Sequence, residues 1–222
     1  MTNRRERTWR LGALALVLLL AFALRAYRLG AGSLWYDETV SVHLAAQSLP
    51  DLVAHTAGDI HPPGYYLFLH GWTRLAGDSD LAVAFPSLFF GVLLGALACW
   101  LGTRVFGRRA GLLAALLVAI SPYNLWYSQE VRMYTLGAAL GLGAFSALFS
   151  LLVTRSSRPP AWSRLAVYAL CAAAGLWVLT YFAFLLVALN LMIALWWLAR
   201  WRRGRVDAGW LGRWALAQIA IL

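Results

Sequence analysis

Long apolar runs punctuated by clusters of arginine dominate the chain. Trp9 to Leu29 is the first, preceded by Arg4, Arg5 and Arg7, with Arg10 at its second position. No clean small-x-small cleavage site follows it, and it is long enough to remain as an anchor rather than leave as a signal peptide. Leu81 to Val105 is the next, closing on Arg104, Arg108 and Arg109; Ala110 to about Tyr123 follows, a little short, and then Met133 to Val153. Leu165 to Ala199 is about thirty-five apolar residues, too long for one helix across a core of roughly 30 Å, so it divides near Thr180-Tyr181. The pattern predicts an all-α polytopic membrane helix bundle. It forms a single transmembrane domain with spans over about 9–29, 81–105, 110–123, 133–153, 165–180, 182–199 and 210–222, the last cut off at Leu222.

Residues 30–80 break this pattern and form the first long polar loop. They hold all four histidines (His43, His55, His61 and His70), six acids and only one arginine, Arg74. Val42, Ala45, Ala46 and Leu49 recur at helical spacing, with Asp37, Ser41 and Ser48 on another face, which predicts an amphipathic surface helix over about 37–49 ended by Pro50. After His61-Pro62-Pro63-Gly64, the stripe Tyr65, Phe68, Leu69, Trp72 and Leu75 predicts a second surface helix over 63–76. At about fourteen residues it is too short for an ordinary span.

Composition sharpens the class. The chain is 62% hydrophobic and 13% charged, with mean hydropathy +0.67, which excludes a soluble domain. A net charge of +10 can indicate nucleic acid, but all nineteen basic residues are arginines placed between apolar runs, so membrane topology accounts for them and no nucleic-acid partner is expected. With the N-terminus inside, the tail and the loops at 104–109, 155–164 and 200–213 carry fifteen of the nineteen arginines, while the outside keeps Arg25, Arg28, Arg74, Arg132 and seven of nine acids. That is a positive-inside distribution, and it requires that 63–76 does not span. Arg25 and Arg28 then read as side chains snorkelling at the outer end of the first span. Cys99 and Cys171, inside apolar runs, read as small core residues.

This topology gathers 30–81, 124–132 and the Thr180-Tyr181 break at one outer face, and with them the candidate chemistry. Asp37 and Glu38, adjacent carboxylates beside Trp35 and Tyr36, read either as a helix start or as a general base at the membrane surface. Glu130 and Tyr134 are spaced i, i+4. Arg132 suits a lipid phosphate through charge-assisted bonds, or else it snorkels or pairs with Glu130. His61 reads as an interfacial histidine, a phosphate contact or a metal ligand, although the histidine spacings match no zinc pattern. Trp35, Tyr65, Tyr66, Trp72, Trp126 and Tyr127 fit an aromatic belt.

Three stretches, Leu34-Trp35-Tyr36-Asp37-Glu38, His61-Pro62-Pro63-Gly64-Tyr65-Tyr66 and Ser121-Pro122 through Tyr127-Ser128-Gln129-Glu130-Val131-Arg132-Met133-Tyr134, together resemble the family 39-type glycosyltransferases. These include protein O-mannosyltransferases, the lipid A aminoarabinose transferase and related bacterial Rgt-like proteins. The resemblance runs from about residue 9 to about 200. It implies the GT-C fold and transfer of a sugar from a polyprenyl-phosphate carrier to a lipid, glycan or protein acceptor at the extracytoplasmic face of the cell membrane. It also implies that Asp37 is the catalytic base with Glu38 beside it, that His61 stands where relatives have His or Lys, and that Glu130, Arg132 and Tyr134 form the Glu-x-Arg-x-Tyr segment, with Tyr65 in support. Members are usually more than twice this length, so the chain is expected to be an N-terminal fragment lacking the acceptor-binding part.

The chemistry is consistent with those residues. A phosphate leaves without a proton, so one carboxylate suffices, and Asp37 would deprotonate the acceptor hydroxyl. Arg132 and His61 would stabilise charge growing on the phosphate, with or without a divalent cation. Single displacement would invert the anomeric carbon. A transporter or flippase for a lipid-linked substrate is the competing class, but it would place ionisable groups near the bilayer midplane, whereas the spans here are nearly free of acids and seven of the nine gather at one face. The topology has a direct test. A single cysteine at Asp59 is expected to react with an impermeant thiol reagent from the extracytoplasmic side; labelling only from the cytoplasm would defeat the assignment.

Overall fold

The computed structural model describes residues 2–153, 162–202 and 208–221, and among them every regular element is an α-helix. These are α1 (Thr2–Ala26), α2 (Tyr36–Ala46), α3 (Leu49–Ala57), α4 (Gly64–Ala76), α5 (Asp80–Phe106), α6 (Arg108–Ile120), α7 (Pro122–Tyr127), α8 (Tyr134–Val153), α9 (Trp162–Val178), α10 (Phe182–Trp201) and α11 (Ala208–Ile219). Four are long and apolar enough to cross a membrane: Glu6–Ala26 within α1, then α5, α8 and α10; the apolar α9 is shorter. The fold class is thus the expected polytopic helical one. Arg155, Arg158, Arg203 and Arg205, invoked for the inner loops, lie outside the described residues.

The chain forms two compact units, Met1–Asp59 with Pro63–Ala139, and Ile60–Pro62 with Leu140–Leu222. In the first, α5 and α6 make a tight hairpin at Gly107 (φ 93°). The helices approach so closely that a Cβ on Gly111 would stand 2.1 Å from Thr103 Oγ1 and 2.5 Å from the Cys99 carbonyl. The thirteen-residue α6, about 20 Å long, is tied to α1 at both ends. Arg108 reaches Glu6 at 3.4 Å through an exposed pair that contributes little. At the other end Arg25 donates to the carbonyls of Val118 (3.0 Å) and Ala119 (3.1 Å). Arg25 is fully buried, so it does not snorkel to the interface as its position in sequence suggested.

Two carbonyls in this unit lack their usual helical partner for one reason. The Ala82 carbonyl would accept from residue 86 and the Val118 carbonyl from residue 122, and both are prolines without an N–H. Each finds a side-chain donor: Trp72 Nε1–H donates to Ala82 O at 2.7 Å, and the Arg25 guanidinium to Val118 O. A buried carbonyl left bare costs about 1–3 kcal/mol, so these bonds fix where α4 meets α5 and where α1 meets α6.

The loop between α1 and α5 departs from its sequence pattern. The helix expected over 37–49 ends at Ala46, and Pro50 opens a further helix, α3, rather than closing the first. Ser48 caps α3, accepting from the Asp51 N–H, with Pro50 in the first turn, where its missing N–H costs nothing. The inward face of α2 is Glu38, Ser41, Leu44 and Ala45, while Ala46 and Leu49 are exposed. In α4 the buried residues are Tyr65, Tyr66, Leu69 and His70, and Phe68 and Leu75 of the expected stripe face outward. His70 Nδ1–H donates to Ala45 O at 2.8 Å and joins α4 to α2.

The second unit is held by small residues against aromatic ones. Ala144, Ala147, Leu148 and Leu151 of α8 meet Leu165, Tyr168, Ala169 and Ala172 of α9, with Trp210 and Trp214 of α11 closing the core. The Tyr168 and Trp214 rings lie 4.8 Å apart. One polar chain crosses it: Asn190 Nδ2 donates to Gln218 Oε1 (3.2 Å), and Gln218 Nε2 to the Tyr168 hydroxyl (3.4 Å).

The proline-freed carbonyls yield a stability test in detergent melts. Trp72→Phe keeps a ring to stack on Phe85 but strips Ala82 O of its donor, an expected loss of about 1–3 kcal/mol. In a Pro86→Ala background, where residue 86 regains its N–H, the same substitution should cost clearly less. Equal costs in both backgrounds would show that the carbonyl is not what Trp72 serves.

Candidate active site

The site is built from the first turn of α2 and the non-helical segment 128–133 between α7 and α8. Glu38, at the third position of α2, is 6% exposed. Its Oε2 accepts from the Trp35 N–H at 3.1 Å, which satisfies a free donor at the helix start. Its Oε1 accepts from the Val131 N–H at 2.8 Å, a residue 93 positions away. Both oxygens of the buried carboxylate are therefore engaged by main-chain donors.

That bridge sets the neighbouring residues side by side. Asp37 precedes Glu38, Arg132 follows Val131, and Arg132 Nη2 lies 3.7 Å from Asp37 Oδ2. The arginine side chain is 5% exposed and the aspartate side chain 37%, so the carboxylate keeps an open approach while the cation is sequestered. Arg132 Nη1 donates to Asp37 O (3.4 Å) and Ser41 Oγ (3.5 Å), and the guanidinium stands 5.8 Å from the Tyr134 ring centroid. Ser87 Oγ of α5 donates to Arg132 O at 3.4 Å. Burial disfavours the Arg132 cation, but Tyr66, Tyr134 and Asp37 around it more than offset that, and its pKa is raised. Burial pushes the Tyr65 phenol well up, with Arg132 opposing, and Tyr66 moves the same way for the same reasons.

Glu130 precedes α8, so it and Tyr134 do not share a helical face as their spacing suggested. Its Oε1 accepts from Trp126 Nε1–H, while its Oε2 is buried. Burial raises its pKa, against the Trp126 hydrogen bond. Glu130, Glu38, Trp35, Trp126, Gln129 and Asp80 line a pocket of about 570 Å³ beside the acidic pair. Among the described residues, no group of three or more His, Cys, Asp or Glu is arranged to hold a metal ion.

Asp37, Glu38, Tyr65, Glu130, Arg132 and Tyr134 all belong to the first unit. His61 belongs to the second, within Ile60–Pro62, where Thr180 Oγ1 donates to Ile60 O at 2.6 Å. Sequence reasoning gave no site role to Ser41, Tyr66 or Ser87. Ser41 had a visible signal, since it lies one turn beyond Asp37 on the same face, and its hydroxyl donates to Asp37 O at 2.9 Å. Tyr66 was absorbed into an aromatic belt, and nothing local marks Ser87.

No curated protein and no solved structure matches the chain. A family model described as dolichyl-phosphate-mannose-protein mannosyltransferase matches residues 60–222. The matched region contains His61, Tyr65, Glu130, Arg132 and Tyr134 and begins after Asp37 and Glu38. Because that match covers well over half of the sequence and rests on a helical membrane framework, the chain belongs to the dolichyl-phosphate-mannose-protein mannosyltransferase family of membrane glycosyltransferases.

Proposed function

We propose that the chain supplies the catalytic base and the donor-phosphate cation of an inverting, family 39-type glycosyltransferase. It moves a sugar from a polyprenyl phosphate to an acceptor hydroxyl of a lipid, glycan or protein at the extracytoplasmic face of the cell membrane. The observation that carries this reading is the juxtaposition of Asp37 and Arg132, a half-open carboxylate and a buried cation drawn together across 95 residues. Asp37 takes the proton of the acceptor hydroxyl as its oxygen bonds to the anomeric carbon. The bond from that carbon to the phosphate oxygen breaks with its electron pair going to the phosphate. Arg132 stabilises the charge that grows there, and a fixed, partly desolvated cation is worth more than one in water. Glu38 holds the two halves of the site through the main chain, and the reaction as proposed runs through side chains alone.

Three variants of the full-length protein, assayed in membranes by transfer of radiolabelled sugar, test the roles. Asp37→Asn keeps the shape and removes the base, with an expected fall in kcat on the order of 10²–10⁴-fold. Near-normal turnover in Asp37→Asn would remove it from the chemistry. Glu38→Gln turns an amide toward one of the two main-chain N–H donors and should destabilise the protein by about 1–3 kcal/mol along with lowering activity. A Glu38→Gln protein that melts normally yet is inactive would make Glu38 the base instead. Arg132→Ala should raise the donor KM or lower turnover with the acceptor KM unchanged, and Arg132→Lys should restore only part, because it keeps charge but loses the planar fork. Unchanged donor kinetics in Arg132→Ala would take the phosphate away from it.

A further inference from the structure

Among the described residues Arg25 is the largest fully buried side chain, and it lies in a helix long and apolar enough to cross the membrane. Placing a guanidinium there is costly, and a leucine or methionine would pack α1 against α6 without that cost. Four hydrogen bonds offset it. Nη1 donates to Ala21 O (3.1 Å) and Ala119 O (3.1 Å), Nη2 to Val118 O (3.0 Å) and Nε to Ser128 Oγ (3.0 Å). Two of these acceptors are carbonyls in the last turn of α6, at the negative end of its dipole, and one was freed by Pro122.

The fourth bond leaves the helices altogether. Ser128 is fully buried and opens the segment that carries Glu130 and Arg132. The next residue repeats the link in the other direction: Gln129 Nε2 donates to Arg25 O (3.1 Å) and Tyr27 O (2.8 Å). On α5, Gly91 leaves the space for this junction; a Cβ there would stand 2.1 Å from Ser128 Oγ and 2.9 Å from Arg25 Nε. One guanidinium thus couples the end of α1, the end of α6 and the start of the site segment, over a seat that only glycine leaves open.

We infer that Arg25 is a positioning residue: through Ser128 it sets the register of segment 128–132, and so the place at which Arg132 meets the donor phosphate. This rests on the role proposed above for Arg132. Arg25 touches neither Asp37 nor the phosphate, so its loss should act on donor use rather than on the base.

The test uses the full-length protein with Ser128→Ala, Gly91→Ala and Arg25→Lys, each measured for donor and acceptor kinetics and for melting temperature. Ser128→Ala and Gly91→Ala should raise the donor KM about 10- to 100-fold, as a displacement near 1 Å does, with the acceptor KM within about two-fold of wild type. Arg25→Lys, with fewer donors in no fixed fork, should fall between wild type and an Arg25→Met control. Combining Ser128→Ala with Arg132→Lys should give less than the product of the two single effects on donor kcat/KM. Arg132→Ala, run in parallel, separates the two readings. A donor effect there, with donor and acceptor KM unmoved in Ser128→Ala and Gly91→Ala whatever their melting temperatures, overturns the positioning role alone. No donor effect in Arg132→Ala overturns both. Donor and acceptor KM rising together in Ser128→Ala would mark a general loss of structure and also overturn it.

Discussion

The carboxylate of Glu38 is the contact on which the site depends. One oxygen completes the start of α2 and the other holds the Val131 N–H, so a single buried side chain both begins a helix and fastens it to a segment 93 residues later. Breaking the second bond leaves the buried Val131 N–H bare, and that cost makes the arrangement resistant to drift. Asp37 and Arg132 face each other because they are the chain neighbours of the two residues so joined.

A bilayer imposes the same demand on the rest of the first unit. In hydrocarbon every main-chain polar group needs a partner from the protein itself, and proline removes one wherever it enters a helix. Pro86 and Pro122 each leave a carbonyl that a long side chain then fills, Trp72 in one case and Arg25 in the other. The polar side chains buried here therefore act as substitutes for missing main-chain donors, and in doing so they decide which helices touch. Arg25 goes further than packing two helices, since its remaining donor reaches the segment that carries Arg132.

This division of labour suits transfer from a lipid phosphate. Asp37 is half-open to an incoming hydroxyl, while Arg132 is buried and held by α2 side-chain and main-chain oxygens. The proposed base and the proposed phosphate cation come from different elements, so each can be oriented by its own supports. The second unit stabilises itself differently, by alanine faces against tyrosine and tryptophan, with one hydrogen-bonded chain running Asn190–Gln218–Tyr168.

The sequence by itself determined the helical membrane class, because apolar runs of about twenty residues leave a chain few alternatives to a spanning helix. It also offered the residues of the candidate site, since Asp37, Glu38, Glu130, Arg132 and Tyr134 stand in recognisable order. It could not reveal which face of α2 turns inward. Periodicity weighs apolar burial, whereas Glu38 and Ser41 are buried by hydrogen bonds to partners 93 and 91 residues away. The Ser48 cap of α3 was readable and was outweighed by taking Pro50 as a stop, although proline in a first turn is a start. Arg25 was misread because position along a span suggests the interface, while the freed Val118 carbonyl that draws it inward comes from Pro122 on another helix. Tertiary structure decided these points, because each depends on a main-chain group whose missing partner is supplied from far along the chain.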